Sequence, residues 1–120
     1  LARLEQFGVR REQVVLDPGI GFGKTLEHNL QLLSALPHFA RHERPVLLGV
    51  SRKSFLGKIT GTESVMERLP GALACAALAV RAGVQLLRVH DVRETVQAVR
   101  VAEAIQAGSR GVSGSSPLIR

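Results

Sequence analysis

Three short stretches hold the residues that could do chemistry: "LDPGIGFGKT" at 16–25, "GVSRKS" at 49–54 and "RVHDV" at 88–92. Each follows or ends an apolar run. Asp17 closes the first run, Ser51 and Lys53 follow the second, and Arg88 and His90 end the third. Side chains two apart on a strand share a side, so Ser51 faces with Lys53 and Arg88 with His90. A carboxylate can accept N–H groups from a guanidine-like ring edge, while arginine and histidine neutralise phosphate oxygens. One aspartate, one lysine, one arginine and one histidine therefore suit an electron-rich heterocycle carrying a pyrophosphate. Polar side chains on a strand as apolar as 84–89 need a partner or a ligand.

The first stretch also has the look of a phosphate loop, because it ends Gly23-Lys24-Thr25. A P-loop needs G-x-x-x-x-G-K-[ST], and the position of its first glycine is Pro18. Proline has no N–H for a phosphate and fixes its own φ. A dinucleotide fingerprint needs G-x-G-x-x-G, and here the third glycine arrives one residue early, as Gly19, Gly21 and Gly23. The weight moves to Asp17. A nucleotide-binding α/β domain using loop 19–25 stays as the alternative, with Lys24 as its key residue. A non-catalytic remnant whose open sheet edges seek a partner is a further one.

Other polar residues read more plainly. Asp91 with Glu94 makes a capping box. Lys24 and Thr25 start a helix, with the lysine solvated. His28 and Asn29 read as helix-surface residues, His38 and His42 as solvated, and Arg68 has no assigned role.

The elements that must position these residues follow from periodicity and punctuation. Leu1, Leu4 and Phe7 mark the end of a helix stopped by Gly8. Strands are predicted at 14–17, 45–50 and 84–89. Helices are predicted from Thr25 to Leu36, stopped by Pro37; from Ser64 or Pro70 to Ala82, stopped by Gly83; and from Asp91 to about Gln106. Residues 51–62 read as a polar loop, and 108–120 as a disordered tail rich in Gly and Ser. Strands alternating with helices imply a parallel α/β sheet with right-handed crossovers. Ligand sites in such folds lie at the C-terminal ends of the strands, where all three stretches stand.

Composition narrows the function class. The chain has 120 residues, is 45% hydrophobic and carries a net charge of +6. That charge suits anionic partners, but it is scattered, and four Phe with no Trp or Tyr offer little to stack bases. Nucleic acid is not expected as a partner. No secretory signal or membrane-length apolar run is present, so the expected setting is the cytoplasm without a membrane partner. Cys75 is the only cysteine, in a helical apolar context that predicts a packed thiol.

Taken together, "LDPGIGFGKT" with His28-Asn29, "GVSRKSFLG", "ERLPGALACAALAV" and "RVHDV" resemble the dihydropteroate synthase family, in its order and at its spacing over residues 1–105. The resemblance implies a (β/α)8 TIM-type barrel of pterin-binding type. This chain would be its last three βα units plus the end of the fifth helix, making residues 1–107 the C-terminal portion of that domain. Such enzymes join 6-hydroxymethyl-7,8-dihydropterin pyrophosphate to p-aminobenzoate, giving 7,8-dihydropteroate and pyrophosphate in folate synthesis, and are the target of sulfonamides.

Carried over by motif, Asp17, Gly49 and Lys53 would bind the pterin, with Gly49 letting the ring approach the backbone. Phe22, Ser51 and Arg52 would flank p-aminobenzoate. Arg88 and His90 would bind pyrophosphate with Mg²⁺ nearby, the metal's own ligand lying in the family's N-terminal part. The resemblance also implies a homodimer for the complete form. The family's first five strands are absent from this sequence, so the chain alone is expected to lack useful synthase activity.

Overall fold

The computed structural model describes residues 1–113, with side chains through Ser109. It is a mixed α/β arrangement in which helices cover a short parallel sheet. The helices are α1 (Ala2–Gln6), α2 (Leu26–Ser34), α3 (Leu36–Ala40), α4 (Ser54–Thr60), α5 (Leu69–Ala82) and α6 (Val92–Ser113). Short 3₁₀ turns span Arg11–Gln13 and Val65–Arg68.

The sheet is smaller than its sequence predicts. β1 (Leu47–Leu48) pairs in parallel with β2 (Leu86–Leu87), and Leu16 bridges Val46 in parallel on the other side. The Leu16 carbonyl accepts the Leu47 N–H at 2.8 Å, and the Leu48 carbonyl accepts the Arg88 N–H at 3.0 Å. Of the three predicted strands, 45–50 and 84–89 are reduced to two paired residues each, and 14–17 to a single bridge at Leu16, in sequential order. Their parallel direction brings Asp17, the 49–53 segment and the 88–90 segment to one edge.

The core forms where the sheet meets the helices. Ile20, Val46, Leu48, Val50, Phe55, Leu56, Ala76 and Ala79 are buried. Small side chains on α5 allow it to lie close, with Ala72 and Cys75 packed against this cluster. The helix ends at Gly83, whose φ of 93° lies in the left-handed region that favours glycine. The Val84 N–H then reaches back to the Ala79 carbonyl at 3.0 Å, closing the helix end. α5 also packs along α6.

Several local expectations change. Thr25 does cap α2, its hydroxyl accepting the His28 N–H at 3.2 Å. Pro37, however, does not stop the helix: α2 ends at Ser34, and Pro37 stands in the first turn of the separate α3, where a proline gives up an N–H that has no helical partner anyway. Residues 54–60, read as loop, form α4: Phe55 and Leu56 are buried and hold that turn against the core. The Asp91 carboxylate, read as part of a capping box, pairs with Arg52 at 3.3 Å. α6 extends past Gln106 to Ser113, and the remainder of the 108–120 stretch lies outside the described residues. Among the described residues no helix is long and apolar enough to cross a membrane.

Candidate active site

At the C-terminal edge of the sheet, Gly49, Ser51, Lys53, Arg88, Val89 and His90 line a cavity of about 140 Å³. Five of the eight residues proposed for the site from sequence therefore meet in one place. The other three, Asp17, Phe22 and Arg52, attach to this group through individual contacts.

Ser51 ties the second strand end to the third. Its Oγ lies 2.8 Å from His90 Nδ1 and also accepts the His90 backbone N–H at 3.1 Å. The hydroxyl hydrogen is available for Nδ1, and when it is donated there the ring's own hydrogen sits on Nε2. In that tautomer the half of the imidazole away from Ser51 is a donor.

Arg88 lies over Gly49. A Cβ built on Gly49 would stand 2.7 Å from Arg88 Nη2. The space reserved from sequence for a ring close to the backbone is filled here by the guanidinium. Arg88 Nη1 also comes to 3.9 Å from Asp17 Oδ2. Asp17 Oδ1 accepts the Gly19 N–H at 2.8 Å, which aims the carboxylate. Both side chains remain partly open to solvent.

Lys53 points back to the first loop. Its ammonium donates to the Ile20 carbonyl and sits 4.6 Å from the centre of the Phe22 ring. A cation over a ring face is attractive, so Phe22, itself largely exposed, is drawn toward the group. Burial is the main reason the Lys53 pKa falls below its ordinary value; the Arg88 charge lowers it further, Asp17 opposes, and Lys24 adds a small lowering.

Arg52 stands apart. It does not line the cavity, its φ of 60° is left-handed, and its guanidinium turns to Asp91.

The glycine loop is built differently from its reading in sequence. Asn29, read as a surface residue, is buried, and its Oδ1 accepts the Gly21 N–H at 2.9 Å. Lys24, read as solvated, donates to the carbonyls of Gly19 at 2.8 Å and Phe22 at 3.1 Å. Buried backbone groups must find partners, and in this loop side chains supply them. The sequence signal was the presence of one amide and one lysine beside a glycine-rich loop whose peptide groups have no strand or helix to pair with. A phosphate cradle needs free N–H groups and a free ammonium. Here the Gly19 and Gly21 N–H groups and Lys24 are engaged inside the loop.

Among the described residues, no group of three or more His, Cys, Asp or Glu side chains converges as a metal-binding set.

The profile of the family described as Pterin binding enzyme matches residues 1–90. A dihydropteroate synthase from Escherichia coli (strain K12) is 50% identical over 104 residues, covering 87% of this chain and 36% of that protein. The chain thus spans about a third of the length of the relatives it matches. A Yersinia pestis dihydropteroate synthase solved with a sulfonamide drug complex superposes with a TM-score of 0.82 at 43% identity, covering 88% of this chain and 38% of that one. A Xanthomonas albilineans dihydropteroate synthase in complex with 7,8-dihydropteroate gives a TM-score of 0.84 at 43% identity, covering 88% and 40%.

Proposed function

This chain belongs to the pterin binding enzyme family, and from that membership we propose that it forms the C-terminal part of a dihydropteroate synthase. In this reading it is three βα units of a (β/α)8 barrel. The complete protein condenses 6-hydroxymethyl-7,8-dihydropterin pyrophosphate with p-aminobenzoate in folate synthesis. The observation that carries the reading is the meeting of Ser51, Lys53, Arg88 and His90 at one sheet edge, beside Asp17. The solved relatives described with 7,8-dihydropteroate and with a sulfonamide support the same substrates here.

The chemistry follows from what each group can do. Asp17 Oδ2 is free of the loop's own hydrogen bond and accepts N–H groups from the amino-pyrimidine edge. Lys53 supplies a donor on the other side of the ring. Phe22 and Ser51 flank p-aminobenzoate, while Arg52 is turned to Asp91 and does not line the cavity. Arg88 and the His90 Nε2–H bind pyrophosphate oxygens, and Ser51 fixes which nitrogen carries that hydrogen.

The p-aminobenzoate amine attacks the pterin methylene. A C–N bond forms, the C–O bond to pyrophosphate breaks, and the amine gives up a proton. Arg88 and His90 take up the charge that grows on the leaving group, which lowers the barrier without a covalent enzyme intermediate. Magnesium belongs to this reading as a companion of pyrophosphate. The described residues do not form a set that would hold it, and no step is routed through it. The complete form is read as a homodimer in the cytoplasm, acting on small molecules without nucleic acid or membrane.

The test uses the complete protein containing this chain. Pyrophosphate release on mixing the two substrates is expected. Asp17→Asn should abolish pterin binding, and Lys24→Ala should weaken it less. ATP binding that is lost in Lys24→Ala and kept in Asp17→Asn would instead establish the nucleotide-binding alternative.

A further inference from the structure

The surroundings of Arg68 give it a role that its sequence context does not. Its Nη1 donates to the Arg52 carbonyl at 2.7 Å. The guanidinium reaches that carbonyl beside Gly57 of α4, where an added Cβ would lie 3.3 Å from Arg68 Nε. Nε itself is buried without a hydrogen-bond partner, an arrangement that costs stability. The recipient is unusual too. Arg52 has a left-handed φ of 60°, a conformation that non-glycine residues keep only when their surroundings hold them there.

Arg52 is held from two sides. Arg68 takes its carbonyl, and Asp91 at the start of α6 takes its guanidinium at 3.3 Å. The peptide so held joins Arg52 to Lys53, and Ser51 is its other neighbour. Ser51 carries the bond to His90, and Lys53 the contact with Ile20 and Phe22.

We infer that Arg68 is a positioning residue: by gripping the Arg52 carbonyl it holds the left-handed turn that aims Ser51 at His90 and Lys53 at the glycine loop. Its consequence for catalysis rests on the proposed synthase reading, but its test does not.

The readout is the imidazole of His90 in the complete protein containing this chain, followed by long-range ¹H–¹⁵N NMR and assigned by its loss in His90→Gln. The parent protein should show one fixed tautomer, with hydrogen on Nε2. In Arg68→Met the separation between the two ring nitrogen shifts should fall to half or less as the tautomers average. Arg68→Lys, which keeps a donor for the carbonyl, should retain most of the separation. Adding Arg52→Gly to Arg68→Met should restore it, because glycine takes a left-handed φ without a partner to hold it. A folded Arg68→Met with an unchanged His90 signature would overturn the inference, as would a double variant that fails to restore it. If Arg68→Met alone does not fold, a folded double variant with the parent signature supports the inference, and one that stays unfolded refutes it. Loss of the synthase reading would show in the substrate assay and leave these spectra unaffected.

Discussion

The Arg88 guanidinium occupies the space that a side chain on Gly49 would fill, with Nη2 2.7 Å from the position of a Cβ. The missing methyl on one strand end is therefore what lets the cation of the neighbouring strand lie across Gly49 and come to 3.9 Å from Asp17 Oδ2. Gly49→Ala should push Arg88 away. Misplacement by about 1 Å costs on the order of 10²-fold in rate when geometry is critical. The expected result is a loss of that order in turnover by the complete protein, with a smaller loss of stability of about 1–3 kcal/mol from overpacking. Turnover by pyrophosphate release and urea unfolding of the same sample check the two parts. Unchanged turnover would show that the placement of Arg88 is immaterial.

Ser51→Ala removes the acceptor of the His90 backbone N–H and the partner of its ring Nδ1 at once. A buried group left unpaired costs about 1–3 kcal/mol, so unfolding should shift by that amount. The two ring nitrogens of His90 should also lose their fixed tautomer, visible in the same imidazole spectra. A stability change near zero would mean that water replaces the hydroxyl.

Asn29→Ala should loosen the glycine loop. The amide is 3% exposed and holds the Gly21 N–H. Its removal should cost about 1–3 kcal/mol and speed exchange of the Gly21 amide hydrogen. Protection that survives the substitution would show that another group secures the loop.

Two groups give opposite pH dependence in the alkaline range. The Lys53 pKa is lowered, chiefly by burial, so between its folded value and 10.5 the unfolded chain binds more protons than the folded one. Stability contributed through Lys53 therefore rises as pH rises through that window. Burial pushes the Cys75 thiol above 9.0, so above that pH the unfolded chain ionises first and stability falls. Unfolding free energies measured from pH 8 to 11 should lose the rise in Lys53→Met and the fall in Cys75→Ala. Parallel curves for the parent and either variant would remove the assignment for that group.

What the chain's local composition settled is local in its physics. Pro18 ruled out a phosphate loop because a missing N–H is a property of one residue. Thr25 capped α2 and Gly83 ended α5 because capping depends on a few neighbouring peptides. The three apolar runs placed Asp17, Ser51 and Arg88 at parallel strand ends through the same short-range patterning.

The tertiary structure decided what lies between distant segments. Ser51 and His90 stand 39 residues apart in sequence, and Lys53 and Ile20 stand 33 apart. Such contacts exist only after the sheet has brought three strand ends together. Burial then reversed the reading of polar residues that look solvated on a helix or loop. Asn29 and Lys24 turned inward because the glycine loop's peptide groups needed partners. Residues 54–60 became a helix because Phe55 and Leu56 could be buried there. The partners of Asn29 and Lys24 lie within eight residues of them, but the loop presents those peptide groups only once the fold has bent it, and the core that receives Phe55 and Leu56 is assembled from distant segments.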